Sequence, residues 1–362
     1  MNMQRIAVVG GGIAGLTVAL RRERLGDQVS LFEASPQVGG QLSSERLDGF
    51  VVEHGAEGFV ARSEVVPPLA AEAGIADHID EQLEQRSFRF DGQNLVELLP
   101  GEAGRLLGFQ VPQGDLGRGI RSFRLGMAEL PARLALTLGA RIELHLQRAV
   151  ARITPHPGGV MLLDAHGQAL DFDAAVIATT ARSAASLLGD ALGPSARALQ
   201  ESPLLSSLTV TLAYRRDAIA HPLDGTGFIV PSPGQLHGVR AVTFSSSKLP
   251  HRAPADHALL RLFFRPSEEE LLTLSDAAWI ERAERGLARA LPVRAPAVRG
   301  IVSRWPSALP VFDATHRARI SALEAALVGQ RIWLAGSAFH GSGIDAAIRS
   351  GEAAALATSS CA

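Results

Sequence analysis

The chain has a single cysteine, Cys361, in a Ser-Ser-Cys-Ala tail. That excludes an internal disulfide and a cysteine-based metal site, and it is compatible with a reducing, cytoplasmic compartment. Lysine is equally scarce. Lys248 is the sole one, and every other residue among the 35 Lys and Arg is Arg, a bias of codon usage rather than of a binding surface. Charge of one sign is lacking too: the formal net charge is −2, which gives no reason to expect nucleic acid or an anionic membrane as a partner. No stretch reaches the roughly 18 apolar residues that a spanning helix needs. Arg21, Arg22, Glu23 and Arg24 follow the first apolar run too soon for a cleavable signal segment. The 11 histidines show no metal-ligand spacing such as H-E-x-x-H, so no metal is expected. Neither a P-loop nor a G-x-S-x-G nucleophile elbow occurs.

At 362 residues the chain exceeds the usual single core, so two domains are expected. The apolar fraction of 46% and charged fraction of 20% are globular. Residues 6–9 form a short apolar run of buried-strand type. Gly10-Gly11-Gly12-Ile13-Ala14-Gly15 follows, then Leu16, Ala19 and Leu20 at helical spacing, a turn at Gly26-Asp27 and a second strand over 29–32. Strand, glycine turn, helix and strand in this order form a Rossmann-type unit. In it Gly10 permits the tight turn, Gly12 lets the backbone approach a pyrophosphate, and Gly15 allows close packing of helix on strand. The amides at the helix start, around Ile13 and Ala14, favour phosphate. Glu33, at the end of the second strand, can accept hydrogen bonds from adenosine ribose hydroxyls, and it would repel a 2′-phosphate.

The run Ala34-Ser35-Pro36-Gln37-Val38-Gly39-Gly40-Gln41-Leu42 resembles the segment after the ribose acid in the flavin amine oxidase superfamily. Its Gly39-Gly40 pair brings backbone close to the FAD diphosphate. The family usually has Arg or Lys where this chain has Gln41. Residues 53–62, Glu-His-Gly-Ala-Glu-Gly-Phe-Val-Ala-Arg, resemble the segment passing the flavin ring in the protoporphyrinogen-oxidase-like branch. The resemblance puts Gly55 and Ala56 against the ring. Arg62 either presents a cation to a substrate carboxylate or is a solvated loop residue. Residues 334–354 resemble the closing FAD motif of the superfamily. There Gly336 and Ser337 adjoin the ribityl chain, and the helix start at Gly343-Ile344, followed by Ala347, points amides at the flavin N1/O2 edge. Family members usually have Asp or Asn at the position of Ser337. His340 is a candidate for proton transfer or substrate orientation, or else a structural histidine.

Further stretches carry the same resemblance. Gly126-Met127 opens a helix as in the family. Val150 falls where backbone reads adenine, and 174–180, with Thr179, matches the strand and turn that rejoin the FAD domain. Residues 245–254 and 304–310 favour the protoporphyrinogen/coproporphyrinogen oxidase-like branch, and Trp305 in the latter is expected to contribute to cofactor binding. No lysine occurs at 205–209, where amine oxidases often hold a water against the flavin. No cysteine lies near the closing motif, so FAD is expected to be non-covalent. The helical, membrane-binding lobe of the family is mostly missing, since only about 100–122 fills its place.

The expected fold is α/β, with a three-layer Rossmann-type FAD-binding domain from 1–85, 124–182 and 330–362. A mixed β-sheet substrate domain with flanking helices comes from 86–123 and 183–329. Helices are expected over 65–76, 126–138, 181–192, 268–291, 317–327 and 343–356, with a hairpin at 88–96 and a loose stretch over 101–119. Strands over 141–146, 150–154, 160–163 and 174–179 are expected in a small sheet. The resemblance implies an FAD-dependent oxidase or dehydrogenase acting on a C–N or C–C bond of a porphyrinogen-, pyrrole- or amine-like molecule, with O2 as acceptor. The rivals are an amine or amino-acid oxidase and a non-catalytic FAD-binding partner protein. Oligomeric state is not legible.

Overall fold

The computed structural model describes residues 3–106 and 118–361. Five parallel strands form one sheet, in the order Ile142–His145, Gln28–Phe32, Arg5–Val9, Ala174–Ile177, Ile332–Leu334. Alternate side chains of the central strand enter different cores. Ile6 and Val8 join one face with helices Ile13–Arg24 and Ile344–Ala357. Ala7 and Val9 join the other, with helices Ala181–Gln200 and Ala314–Leu327. The result is a three-layer Rossmann-type unit of the expected class. Apart from residues 181 and 182, both helices of the second face fall in sequence inside the stretch expected for the second domain, yet their buried residues belong to the core of the parallel sheet.

The small sheet differs from expectation. It holds Val150–His156, Gly159–Asp164 and an unforeseen strand, Ala169–Phe172, all antiparallel. The strands near 141–146 and 174–179 instead enter the parallel sheet. The reason is burial on both sides: all four residues of Ala174–Ile177 are buried, a pattern that suits a parallel sheet covered by helices.

A seven-stranded mixed sheet makes the second layer system. Its order is Arg299–Pro310, Leu204–Arg215, His257–Phe264, Ala241–Phe244, Gly227–Ile229, Phe88–Phe90, Leu95–Glu97. Asp91 closes the hairpin at 88–97 by accepting from the amides of Gln93 and Asn94 at 2.9 and 2.8 Å. Residues expected as one helix over 268–291 form two, Glu268–Thr273 and Asp276–Ala290. Ser275 ends the continuity. It is extended, and its hydroxyl accepts from Ala278 N, so it starts a new helix instead of continuing the old one. The second helix lays Trp279, Ala283 and Leu287 on the sheet.

In the place of the family's lobe stands the short helix Glu102–Leu106; residues 107–117 of the stretch expected as loose lie outside the described residues. Among the described residues, no helix is long and apolar enough to cross a membrane.

In the first unit, strand and helix are packed backbone to backbone at Gly15. A Cβ there would sit 1.9 Å from the Gly10 carbonyl oxygen, far inside contact distance. Gly15→Ala is expected to cost about 3 kcal/mol through overpacking of strand against helix, read as a lowered midpoint in urea unfolding of the cofactor-free protein.

Candidate cofactor and substrate site

Three loops converge at the carboxyl ends of the parallel strands, where ligands bind in open α/β sheets. Gly10, at φ +110°, turns the first strand into the first helix, and a Cβ there would meet the Ala178 carbonyl at 2.5 Å. Gly39 donates to the Gly11 carbonyl at 2.9 Å. Ala56 donates to the Gln41 carbonyl at 3.3 Å, and a Cβ on Gly55 would lie 1.8 Å from that oxygen. Glu33 closes the arrangement. Its Oε2 accepts from Gly11 N at 2.7 Å and its Oε1 from Ser35 N at 2.8 Å, which aims the carboxylate and leaves lone pairs for hydroxyl donors.

A cavity of about 720 Å³ runs through this meeting point. It collects residues from across the sequence: Gly10, Gly12, Ile13, Ala14, Glu33 and Ala34 from the first unit, and Gly39, Gly40, Gln41 and Ala56 from the next loops. Val150, Thr179, Gly336, Ser337, Gly343, Ile344 and Ala347 complete that set. A second cavity of about 730 Å³ adjoins it, sharing Gly40 and Gln41 and bordered by Trp305, Arg182 and Leu271.

The donor chemistry fits a dinucleotide such as FAD. Gly12 is the clearest sign. Its φ of −70° and ψ of 177° suit any residue, and a Cβ would meet nothing within 4 Å. Nothing in the chain itself requires glycine there, so the open space over the helix N-terminus is what a closely approaching ligand would use. At the other end Phe32, Arg148 and Val150 form a slot, with Arg148 at 5.5 Å over the Phe32 ring.

Gly15 and Gly55 lie behind the wall, in backbone packing. The side chain of Gln41 is engaged, its Nε2 donating to the Ala308 carbonyl at 3.2 Å. Two candidates are not brought to the cavities. Arg62 is exposed in the turn after Phe59–Val60 and borders neither. His340 corrects the expectation of a group close to the ring: it is 41% exposed, and its Nε2 lies 3.1 Å from Glu324 Oε1 on helix Ala314–Leu327. The loop between Ala338, which lines the cavity, and Gly343 carries it toward that helix. The histidine that supports this loop is His316, wholly buried, with Nε2 3.1 Å from the Ala338 carbonyl. Its place in the first turn of a helix capped by Asp313 gave no sequence cue to that role.

Sequence reading also missed a buried charge cluster behind 53–57. Glu53 accepts from Met127 N at 2.9 Å and Ser44 Oγ at 2.5 Å, with Arg252 at 3.4 Å. Glu57 accepts from Lys248 Nζ and Ser245 Oγ, both at 2.9 Å. Arg261 donates to the carbonyls of His54 and Gly55 at 3.0 and 2.8 Å. Trp305 Nε1 adds a 2.7 Å bond to the His54 carbonyl. The available cue was one charge amid the apolar run 258–264.

Burial pushes the Glu53 carboxyl up from 4.5 to about 7, against the pull of Arg252 and the bonds from Ser44 and Met127. Burial would also raise Glu57, but Lys248 and Arg261 outweigh it and hold it below the usual carboxylate range. Burial lowers the Arg261 guanidinium, partly offset by Glu57 and Glu53. It likewise lowers His54, which favours the neutral ring.

With a folded value above the unfolded one, the Glu53 contribution to stability is complete below about pH 4.5 and is lost as pH rises through about 7. Unfolding free energies measured at pH 5.5 and 8 are expected to show a loss of about 2 kcal/mol from this group. Glu53→Gln should remove that component. Equal pH dependence in the two proteins would show that Glu53 does not titrate in this range.

Comparison with known proteins agrees with the geometry. Residues 101–357 match the family described as flavin containing amine oxidoreductase, and residues 8–73 match an NAD(P)-binding Rossmann-like domain. A coproporphyrinogen III oxidase of Bacillus subtilis strain 168 is 22% identical, over 97% of each chain. One from Mycobacterium bovis is 26% identical, over 96% of each. Among solved structures, a candidate protoporphyrinogen oxidase from Exiguobacterium sp. 255-15 shares the fold at TM-score 0.80 and 23% identity, covering 99% of both chains. Putrescine oxidase with bound putrescine gives TM-score 0.77 at 16% identity, again over 99% of both.

Proposed function

The chain belongs to the flavin containing amine oxidoreductase family, a family of flavin-dependent oxidoreductases, and from that premise we propose that it binds FAD non-covalently and oxidises a C–N or C–C bond of a porphyrinogen- or pyrrole-like molecule, with O2 as acceptor. The observation that carries this is the cavity itself: its wall unites the N-terminal glycine turn, Glu33, Val150 and the turn at 336–344, which are far apart in sequence. The coproporphyrinogen oxidases similar over nearly the whole chain support the substrate class.

Glu33 would hold the adenosine ribose, and the backbone at Val150 the adenine. The helix start at Gly12, Ile13 and Ala14, faced by Gly39 and Gly40, would hold the diphosphate. Ser337 would meet the ribityl chain, Ala56, with Gly55 packed behind it, one side of the ring, and the amides at Gly343 and Ile344 its electron-rich edge. When bound, FAD supplies the acceptor for a hydride and its electron pair. The chain's own part is to orient that acceptor, exclude water and favour negative charge at the helix N-terminus after Gly343. The adjoining cavity with Trp305 and Arg182 would take the substrate. No side chain bordering the cavities is assigned as a base.

The proposed domain division keeps 1–85, 124–182 and 330–362 for FAD and 86–123 and 183–329 for substrate, with two helices of the latter leaning on the former's sheet. An amine oxidase reading has the putrescine oxidase fold behind it, but no lysine lies in 205–209.

Two measurements test the proposal. The purified protein should show flavin absorption that is released on denaturation, and the bands should bleach on anaerobic addition of coproporphyrinogen III. Bleaching by amines but not by porphyrinogens would overturn the substrate class, and a protein that takes up no flavin would overturn the whole reading. Gly12→Ala separates site from scaffold. Its stability should fall by no more than about 1 kcal/mol, the cost of alanine in place of glycine at an N-cap, since the added Cβ meets no atom within 4 Å. Its affinity for FAD, titrated by flavin fluorescence, should fall at least tenfold, about 1.4 kcal/mol.

A further inference from the structure

Among the described residues, the strongest unexplained feature is the buried charge cluster behind the segment 53–57. Lys248, Arg252 and Arg261 face the carboxylates of Glu53 and Glu57, so cations outnumber anions even with both carboxyls ionised. His54, nearby on the same strand end, points its ring at Ser303 and Glu45. Ser44, Ser122 and Ser245 fill the remaining polar positions. Arg252 is 2% exposed and Arg261 4%. Buried guanidinium groups stay protonated, so both are permanent charges. Burying them is costly unless something uses or offsets them, and the Nε of each has no hydrogen-bond partner among the described residues.

Arg261 stands apart within the cluster. Among the described residues it makes no carboxylate hydrogen bond. Its Nη2 instead donates to two successive backbone carbonyls, of His54 and Gly55. Those peptides are also fixed from the other side. His54 N and Gly55 N point at the Ser43 carbonyl at 2.8 and 3.4 Å, and Gly55 is pressed against the Gln41 carbonyl. The next residue, Ala56, lines the cavity. A positive charge is thus held one peptide behind a cavity wall, in surroundings of low dielectric where charge acts strongly.

Resting on the FAD reading of that cavity, we propose that Arg261 is a positioning residue that fixes the 54–56 wall and sets the electron affinity of the cofactor. Its charge, in the net cationic cluster, favours the electron-rich reduced state. Glu57 and Glu53 work against it, and Lys248 and Arg252 work with it.

The test is the two-electron potential of the FAD-loaded full-length protein, measured against reference dyes with no substrate present. Arg261→Gln should move it to more negative values by at least about tenfold in the oxidation equilibrium, about 30 mV for a two-electron couple. Arg261→Lys keeps the charge and loses the double carbonyl contact. It should retain most of the potential while binding FAD more weakly. If Arg261→Gln leaves the potential unchanged, or both variants lower it equally, the proposal is overturned. Should the Arg261 variants not fold, Lys248→Gln and Glu57→Gln carry the test. The first should lower the potential and the second raise it, and shifts of the same sign or no shift overturn the idea. A protein that binds no flavin instead defeats the cofactor reading on which the proposal rests, whereas a flavin indifferent to these charges defeats the proposal alone.

Discussion

Backbone approaching backbone with no room for a side chain is the constraint on which the site depends. Gly15 sits on the Gly10 carbonyl, Gly39 is bonded to Gly11, and Gly55 lies on the Gln41 carbonyl. Each contact brings a separate loop to the carboxyl end of the parallel sheet. A methyl group on Gly15 or Gly55 would strike a carbonyl oxygen at 1.9 or 1.8 Å and push the two segments apart. The glycine turn is therefore a packing device first, and only Gly12 lacks a packing reason of its own.

That separation explains why the same short motif serves two ends. Residues that support the fold look inward at other backbone, and the residue that would meet a ligand looks into empty space. The Glu33 carboxylate bridges the two roles, since the backbone amides of Gly11 and Ser35 hold it in place while leaving acceptor capacity free. The second layer of support comes from the seven-stranded sheet. Its strands deliver Arg261 and Trp305 to the carbonyls of 54–55, so the wall of the cavity is bolted to the sheet that would hold the substrate. The position of that wall is thus fixed from the seven-stranded sheet.

Much of this was legible from residues alone. The Rossmann unit, Glu33 and the Gly-rich closing turn could be read because each depends on local rules: a strand, a turn that needs glycine, a helix start. The strand at 174–177 was legible as a strand and, by resemblance, as one that rejoins the FAD domain, but its pairing with 5–9 and 332–334 was not, because sheet membership depends on partners far away. The break at Ser275 was missed because the apolar spacing runs on across it, and capping prevails only once the sheet fixes where Trp279 must lie. Sequence left two readings of His340 open, and the loop conformation that pairs it with Glu324 favours the structural one.

The sequence by itself determined the fold class, the dinucleotide-type turn and the family resemblance, because these rest on contacts between residues near in the chain or on turns that only glycine permits. The tertiary structure alone decided which residues line the common cavity, that Arg62 and His340 stand outside it, and that Glu53, Glu57, Lys248, Arg252 and Arg261 gather behind it. Those five come from two stretches nearly two hundred residues apart, and charge pairing over such separations leaves no periodic trace. It exists only where burial makes the charges depend on one another.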